Sequence, residues 1–187
     1  EEQHSFIQAA KDKGYEVIIL DTALTAHLVG KLEQSVKDST FARIDADTID
    51  KLVNKDEKIP SKLSDKEQEQ LKPIIEEVVP KEKFTVLFES MNETDLPMTI
   101  VQPEFMRRMK DMSKVGGGMN MFGGAMHDAY NLVVNANHPL ISKILNEKDT
   151  AKQKEITKQT ADLAMLSQNM LKGEELTKFI KRSLELI

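Results

Sequence analysis

Ten methionines and no cysteine set the side-chain chemistry open to this 187-residue chain. Without a thiol, disulfides, thiolate zinc sites and cysteine nucleophiles are all excluded. All but two of the methionines fall between Met91 and Met126. Within that stretch Phe105, Met106, Met109 and Met112 form an apolar stripe interrupted by Arg107, Arg108 and Lys110. Met119, Met121 and Phe122 follow in a loop flanked by Gly116-Gly117-Gly118 and Gly123-Gly124. A thioether side chain is flexible and polarizable and repacks against many apolar shapes, which suits promiscuous binding. The same residues could instead fill a core low in aromatics, or offer soft ligands to copper(I) around Met119 and Met121. Leaving three such side chains exposed forgoes about 1.5–3 kcal/mol each, a large part of a net stability of roughly 5–15 kcal/mol. A chain tolerates that exposure for a partner or a function, and the glycines make the loop a poor place for a fixed core. Met91 and Met98, nearer strand-like sequence, are assigned to the core.

No other constellation carries chemistry. The glycine-rich loop lacks the Gly-Lys-Ser/Thr ending of a phosphate-binding loop and follows a helix rather than a strand. His4, His27, His127 and His138 show no paired metal spacing. His138, just before Pro139, reads as a turn or helix cap. The carboxylates are dispersed, with no nucleophile–base pair, so neither a catalytic residue nor a metal site is expected.

These residues have to be held by recognisable elements. Phe6, Ile7 and Ala10 share a helical face that Gly14 terminates. Tyr15 to Leu20 reads as a buried strand, a second helix carries Leu24, His27, Leu28, Gly30 and Leu32, and Thr40 to Ile44 reads as a second strand. Residues 47–63 are polar and read as a linker or surface connection. Ser64 and Glu67 then form a capping box for a helix bearing Leu71, Ile74, Ile75 and Val78, with a kink or break expected at Pro73. Phe84–Phe88 and Pro97–Val101, joined by the polar turn Asn92–Asp95, are expected to pair as an antiparallel hairpin. Pro103 opens the methionine helix, from Glu104 to about Val115, and Tyr130–Val134 returns to strand character. Pro139 starts a short helix ending near Asn146.

Two further helices, broken at Gly173, close the chain. The first presents Ile156, Leu163, Leu166 and Met170; the second presents Leu176, Phe179, Ile180, Leu184 and Ile187. A two-helix hairpin with an apolar stripe on each helix cannot bury both stripes alone. Either the body of the same chain covers them or a second copy does, as a four-helix bundle on a two-fold axis.

Composition narrows the class. Hydrophobic residues make up 40% and charged residues 30%, as in an ordinary soluble globular chain. The net charge of −5 argues against nucleic-acid binding, and no apolar run approaches the roughly 18 residues needed to span a bilayer. A start on Glu1-Glu2-Gln3-His4, close to an amphipathic segment, suggests a piece of a longer protein.

Three stretches resemble the heat-shock protein 90 family in order and spacing: Ala9–Val17 (AAKDKGYEV), Phe105–Lys110 (FMRRMK) and Asn135–Ile141 (NANHPLI). At Asp21-Thr22-Ala23-Leu24 the chain departs from the family's usual Asp-Pro-Ile-Asp, and it lacks the acidic tail of eukaryotic cytosolic members, which favours a bacterial or organellar form. The resemblance implies an α+β chain in two parts. Residues 1–55 would close a middle domain as a small α/β unit. Residues 56–187 would form a mixed α/β dimerisation domain with a short, mainly antiparallel sheet and a C-terminal helical hairpin. It further implies a homodimer through Leu163, Leu166, Met170, Leu176, Phe179, Ile180 and Leu184, and a surface for unfolded or partly folded client proteins at Phe105, Met106, Met109, Met112, Met119, Met121 and Phe122. ATP and magnesium would bind the nucleotide domain of the full-length protein, leaving this piece without cofactor or ATPase activity, in the cytoplasm. A methionine-rich signal-peptide-binding domain is the rival reading, but it should be basic and all-helical.

Overall fold

The computed structural model describes residues 3–20, 22, 25–39, 41–53, 59–107 and 129–185. Helix α1 (His4–Asp12) buries Phe6 and Ala10. Gly14 follows with φ +77°, the left-handed conformation that ends a helix readily only at glycine. The next six residues form no strand: Ile18 and Ile19 are 75% and 76% exposed. The buried strand expected at Tyr15–Leu20 is therefore absent, as is the one at Thr40–Ile44, where residues 41–43 have no regular structure and Thr40 lies outside the described residues. A β-rich run becomes a strand only when a neighbour takes its backbone hydrogen bonds, and no described segment does so here. What residues 3–53 do form is α1, α2 (Thr25–Ser35) and the single turn α3 (Ile49–Leu52), so the expected small α/β unit is helical among the described residues. The stretch read as a surface connection is partly inside, with Thr48 only 4% exposed.

Helix α4 (Asp65–Val78) starts at the anticipated capping box: Glu67 N donates to Ser64 Oγ at 3.4 Å, and Ser64 N donates back to Glu67 Oε2 at 2.7 Å. It runs through Pro73 without a break and buries Leu71, Ile75 and Val78. Of the expected kink or break, the break does not occur: burial of that face outweighs one missing backbone bond.

Strands β1 (Phe84–Glu89), β2 (Met98–Val101) and β3 (Tyr130–Asn135) form one sheet in the order β1-β3-β2. β3 pairs parallel with β1 (Phe84 opposite Tyr130) and antiparallel with β2 (Met98 opposite Val134). The expected β1–β2 hairpin is thus replaced by a sheet with β3 inserted between them, and the sheet is mixed. The reason lies in β3 itself. Leu132, Val133, Val134 and Asn135 are each 0–1% exposed, so consecutive residues are buried on both faces, as a central strand requires. β1 alternates at its start, with Phe84 and Val86 buried and Thr85 exposed, and sits at an edge.

Helix α5 (Pro139–Asn146) begins beside the sheet, followed by α6 (Thr150–Ser167) and α7 (Gly173–Glu185). The main core joins α4, the sheet and α5 to α6 and α7 through Leu71, Ile75, Val86, Ile100, Leu132, Ile141, Ala161, Met165 and Phe179. A smaller cluster of Phe6, Met91, Val101 and Val133, with Ile44 against it, seats α1 on the sheet. Met91 and Met98, at 9% and 2% exposure, are core residues as expected.

Candidate functional site

The methionine helix enters the described residues only at its first turn, 104–107, anchored by the bond from Arg107 N to Pro103 O at 3.2 Å. There Phe105 is 69% exposed and Met106 is half-buried. Met109, Met112, Met119, Met121 and Phe122 lie outside the described residues.

That first turn is tied to the N-terminal helices by charge. Asp45 is 5% exposed, and Arg107 Nη1 lies 2.5 Å from both of its carboxylate oxygens. Gln3 Nε2 donates to the same carboxylate at 2.9 Å, and Arg43 Nε approaches it at 3.4 Å. Arg107 Nε in turn donates to Gln102 Oε1 at 2.9 Å, and Gln102 N donates to the Asp45 carbonyl at 3.1 Å. Burial alone would push the Asp45 carboxyl up; hydrogen bonds from Arg107 and Gln3 and the charges of Arg107 and Arg43 outweigh it and hold it below its ordinary range. A second tie lies at the end of β1, where Glu89 accepts from Thr48 Oγ1 at 2.7 Å and pairs with Lys51. Phe105 is thus presented from a turn whose neighbour, Arg107, is clamped to a buried carboxylate.

A polar hub lies at the same end of the sheet, on the last residue of β3, opposite Glu89. Asn135 Oδ1 accepts from Met91 N and Asn137 N, and its Nδ2 donates to Asn92 O at 2.7 Å. Asn137 Nδ2 donates to Pro60 O and Met91 O, while its Oδ1 accepts from Lys62 N at 2.7 Å. His138 completes the turn as anticipated: its Nδ1 accepts from Leu140 N at 3.0 Å, capping α5, and burial lowers its pKa. The motif Asn135–Ile141 therefore has a structural task, holding the chain before α4 and the end of β1 against the sheet. Among the described residues, no three His, Asp or Glu side chains gather as metal ligands would.

The C-terminal hairpin turns an unusual face inward. Helix α6 buries Thr157, Thr160, Ala161, Asp162, Ala164 and Met165. Thr157 and Thr160 satisfy their hydroxyls on the carbonyls of Gln153 and Ile156, each at 2.7 Å. Leu163 and Leu166 point outward at 50% and 40% exposure, and on α7 Ile180 and Leu184 are 50% and 67% exposed. The seven residues expected to share one interface are divided. Phe179 is buried in this chain's own core, Met170 and Leu176 pack partly against it, and the other four remain outward.

Asp45, Arg107, Asn135 and Asn137 organise these contacts, and no local spacing or motif chemistry marks them for that task. Asp45 sat at the edge of a polar stretch and Arg107 counted as an interruption of the apolar stripe. Asn135 and Asn137 were visible only as part of a motif.

A family model described as Hsp90 protein matches residues 1–184. With that match across nearly its whole length, the chain belongs to the Hsp90 family. Its curated relatives are bacterial HtpG chaperones. The chain is 40% identical over 167 residues to the chaperone protein HtpG of Porphyromonas gingivalis, covering 88% of this chain and 24% of that protein. It is 32% identical over 254 residues to the HtpG of Bacteroides thetaiotaomicron, covering 100% of this chain and 37% of that protein. The chain thus spans well under half the length of these relatives. None of the helices among the described residues is long and apolar enough to cross a membrane.

Proposed function

We propose that this chain is the part of an ATP-driven chaperone that pairs two copies of the protein and offers an apolar surface to unfolded or partly folded clients. Near residue 55 the end of a middle domain gives way to the dimerisation domain, which carries both tasks. The observation that supports pairing is the outward set Leu163, Leu166, Ile180 and Leu184 on two successive helices whose inner faces are already satisfied. Four large apolar side chains held half in water forgo about 1 kcal/mol or more each, and a second copy of the same hairpin covers them by a two-fold interface. Clients are met by Phe105 and Met106 with Met109, Met112, Met119, Met121 and Phe122 beyond them. ATP and magnesium act elsewhere in the full-length cytoplasmic protein, and this part performs no hydrolysis itself.

Sedimentation of the 187-residue chain at tens of micromolar tests the pairing: a dimer is expected, and a strict monomer at that concentration refutes it. For the client surface, Phe105→Ser with Met109→Ser should weaken binding of an unfolded polypeptide while leaving the dimer intact. Unchanged client affinity would remove that surface from consideration.

A further inference from the structure

Asp162 is fully buried on α6, an unexpected place for a lone carboxylate in a segment otherwise lined by Thr and Ala. It accepts from Lys158 Nζ at 2.6 Å, one turn earlier, and pairs with the Arg182 guanidinium of α7. Around this pair, Gln159 bridges the same two helices, donating to Ser183 Oγ at 2.7 Å and accepting from Arg182 Nε at 3.3 Å. Lys158 also reaches Glu175 at 3.7 Å. Every described side chain in the cluster thus bonds to α6, to α7 or to both.

A buried ion pair contributes little net stability, because desolvating two charges offsets most of their attraction. Its geometry, however, is demanding. A carboxylate and a guanidinium have to meet in one orientation, whereas apolar contacts between helices tolerate sliding and rotation. On α7, Arg182 and Ser183 face α6; helical spacing turns Ile180 and Leu184, two residues to either side of Arg182, about 160° away from Arg182, and they are 50% and 67% exposed, with Ile180 at the flank nearer Ser183. The direction of Ile180 and Leu184 therefore follows from the cluster.

We infer that Asp162, Arg182 and Lys158 form a registration brace: they fix the rotation of α7 against α6 and so aim Ile180 and Leu184 at a second copy of this chain. This rests on the pairing proposed above and deepens it. These are positioning residues, acting through the helices rather than by touching the partner. The brace exchanges some stability of the single hairpin for one defined mode of pairing.

The test compares the 187-residue chain with its Asp162→Leu/Arg182→Met variant, which fills the site with apolar side chains. Helix content and thermal midpoint should be kept or raised, while the dimer dissociation constant rises at least tenfold. Because the chain has no cysteine, Lys181→Cys, exposed on α7 and outside the set proposed to meet the partner, carries a single spin label in each background. The inter-copy distance should be narrow with the brace and broad without it. An unchanged dissociation constant and an equally narrow distance overturn the inference and leave the pairing standing. A monomeric parent chain overturns both. Should the double variant fail to fold, Asp162→Asn, which keeps the shape and removes the charge, is measured instead: a folded variant with the parent's dissociation constant and an equally narrow distance overturns the inference, and a weaker, broader dimer supports it.

Discussion

Removing Arg107 should cost more than removing the whole pair it belongs to. The Asp45 side chain is 7% exposed and that of Arg107 21%, so Arg107→Ala leaves a largely buried carboxylate with Gln3 and Arg43 as its partners among the described residues. Stranding a buried charge costs about 3–5 kcal/mol. The remaining partners and the partial exposure of Arg107 reduce this to roughly 2–3 kcal/mol. Replacing both, as in Asp45→Leu/Arg107→Met, removes the charge with its partner and should cost about 1 kcal/mol or less. In urea, with a slope of about 2 kcal/mol/M, the single variant should unfold about 1 M earlier than the parent. The pH dependence carries a definite sign. The folded pKa of Asp45 lies below its ordinary 3.8, so its contribution is complete above that value and disappears as pH falls through the lower, folded one. The gap between parent and Arg107→Ala should therefore close in acid. A single variant within 0.5 kcal/mol of the parent at neutral pH, on the order of the scatter of surface substitutions, or a gap independent of acid pH, would refute the clamp.

Three further outcomes follow from local geometry. Asn137→Ala strands Lys62 N and the Pro60 and Met91 carbonyls, and should cost about 2–3 kcal/mol by calorimetry or urea titration. Ser64→Ala opens the capping box of α4 and should cost about 1 kcal/mol, while Ser64→Asp should restore most of it. His138 caps α5 through Nδ1, which must be unprotonated, and burial lowers its folded pKa below 6.5. Its contribution is present above pH 6.5 and declines as pH falls through the folded pKa. His138→Asn, a cap that does not titrate, should flatten that decline in stability measured between pH 5 and 8; an unaltered pH profile would dissociate the imidazole from it.

The features legible in sequence are those whose causes lie within a turn or two of chain. The Ser64–Glu67 box, the Gly14 stop and the His138-Pro139 start are satisfied by residues at most four positions away, and each is found where its local chemistry places it. The helix through Pro73 already shows the limit, since burial of Leu71 and Ile75 decides its continuity. Strand partners escape local reading altogether. The turn Asn92–Asp95 argued for a hairpin, yet β3 takes the central place because only Leu132–Asn135 can be covered on both faces.

The candidate surfaces divide in the same way. The apolar stripes of α6 and α7 and the exposed Phe105 next to Arg107 could be picked out by residue type and spacing, and the family could be recognised from three short motifs. Which side of α6 faces inward could not, because Thr and Ala fit close against neighbouring elements while Asp162 needed Arg182, twenty residues away, to be buried at all. Asp45 and Arg107 stand 62 residues apart. Amino-acid sequence by itself determined most of the helices, the Ser64 and His138 caps and the supply of apolar and charged side chains, since these depend on neighbours along the chain. Tertiary structure alone decided which charges meet, which strand is central and which leucines are left facing water, because each requires two distant surfaces to exclude water from one another.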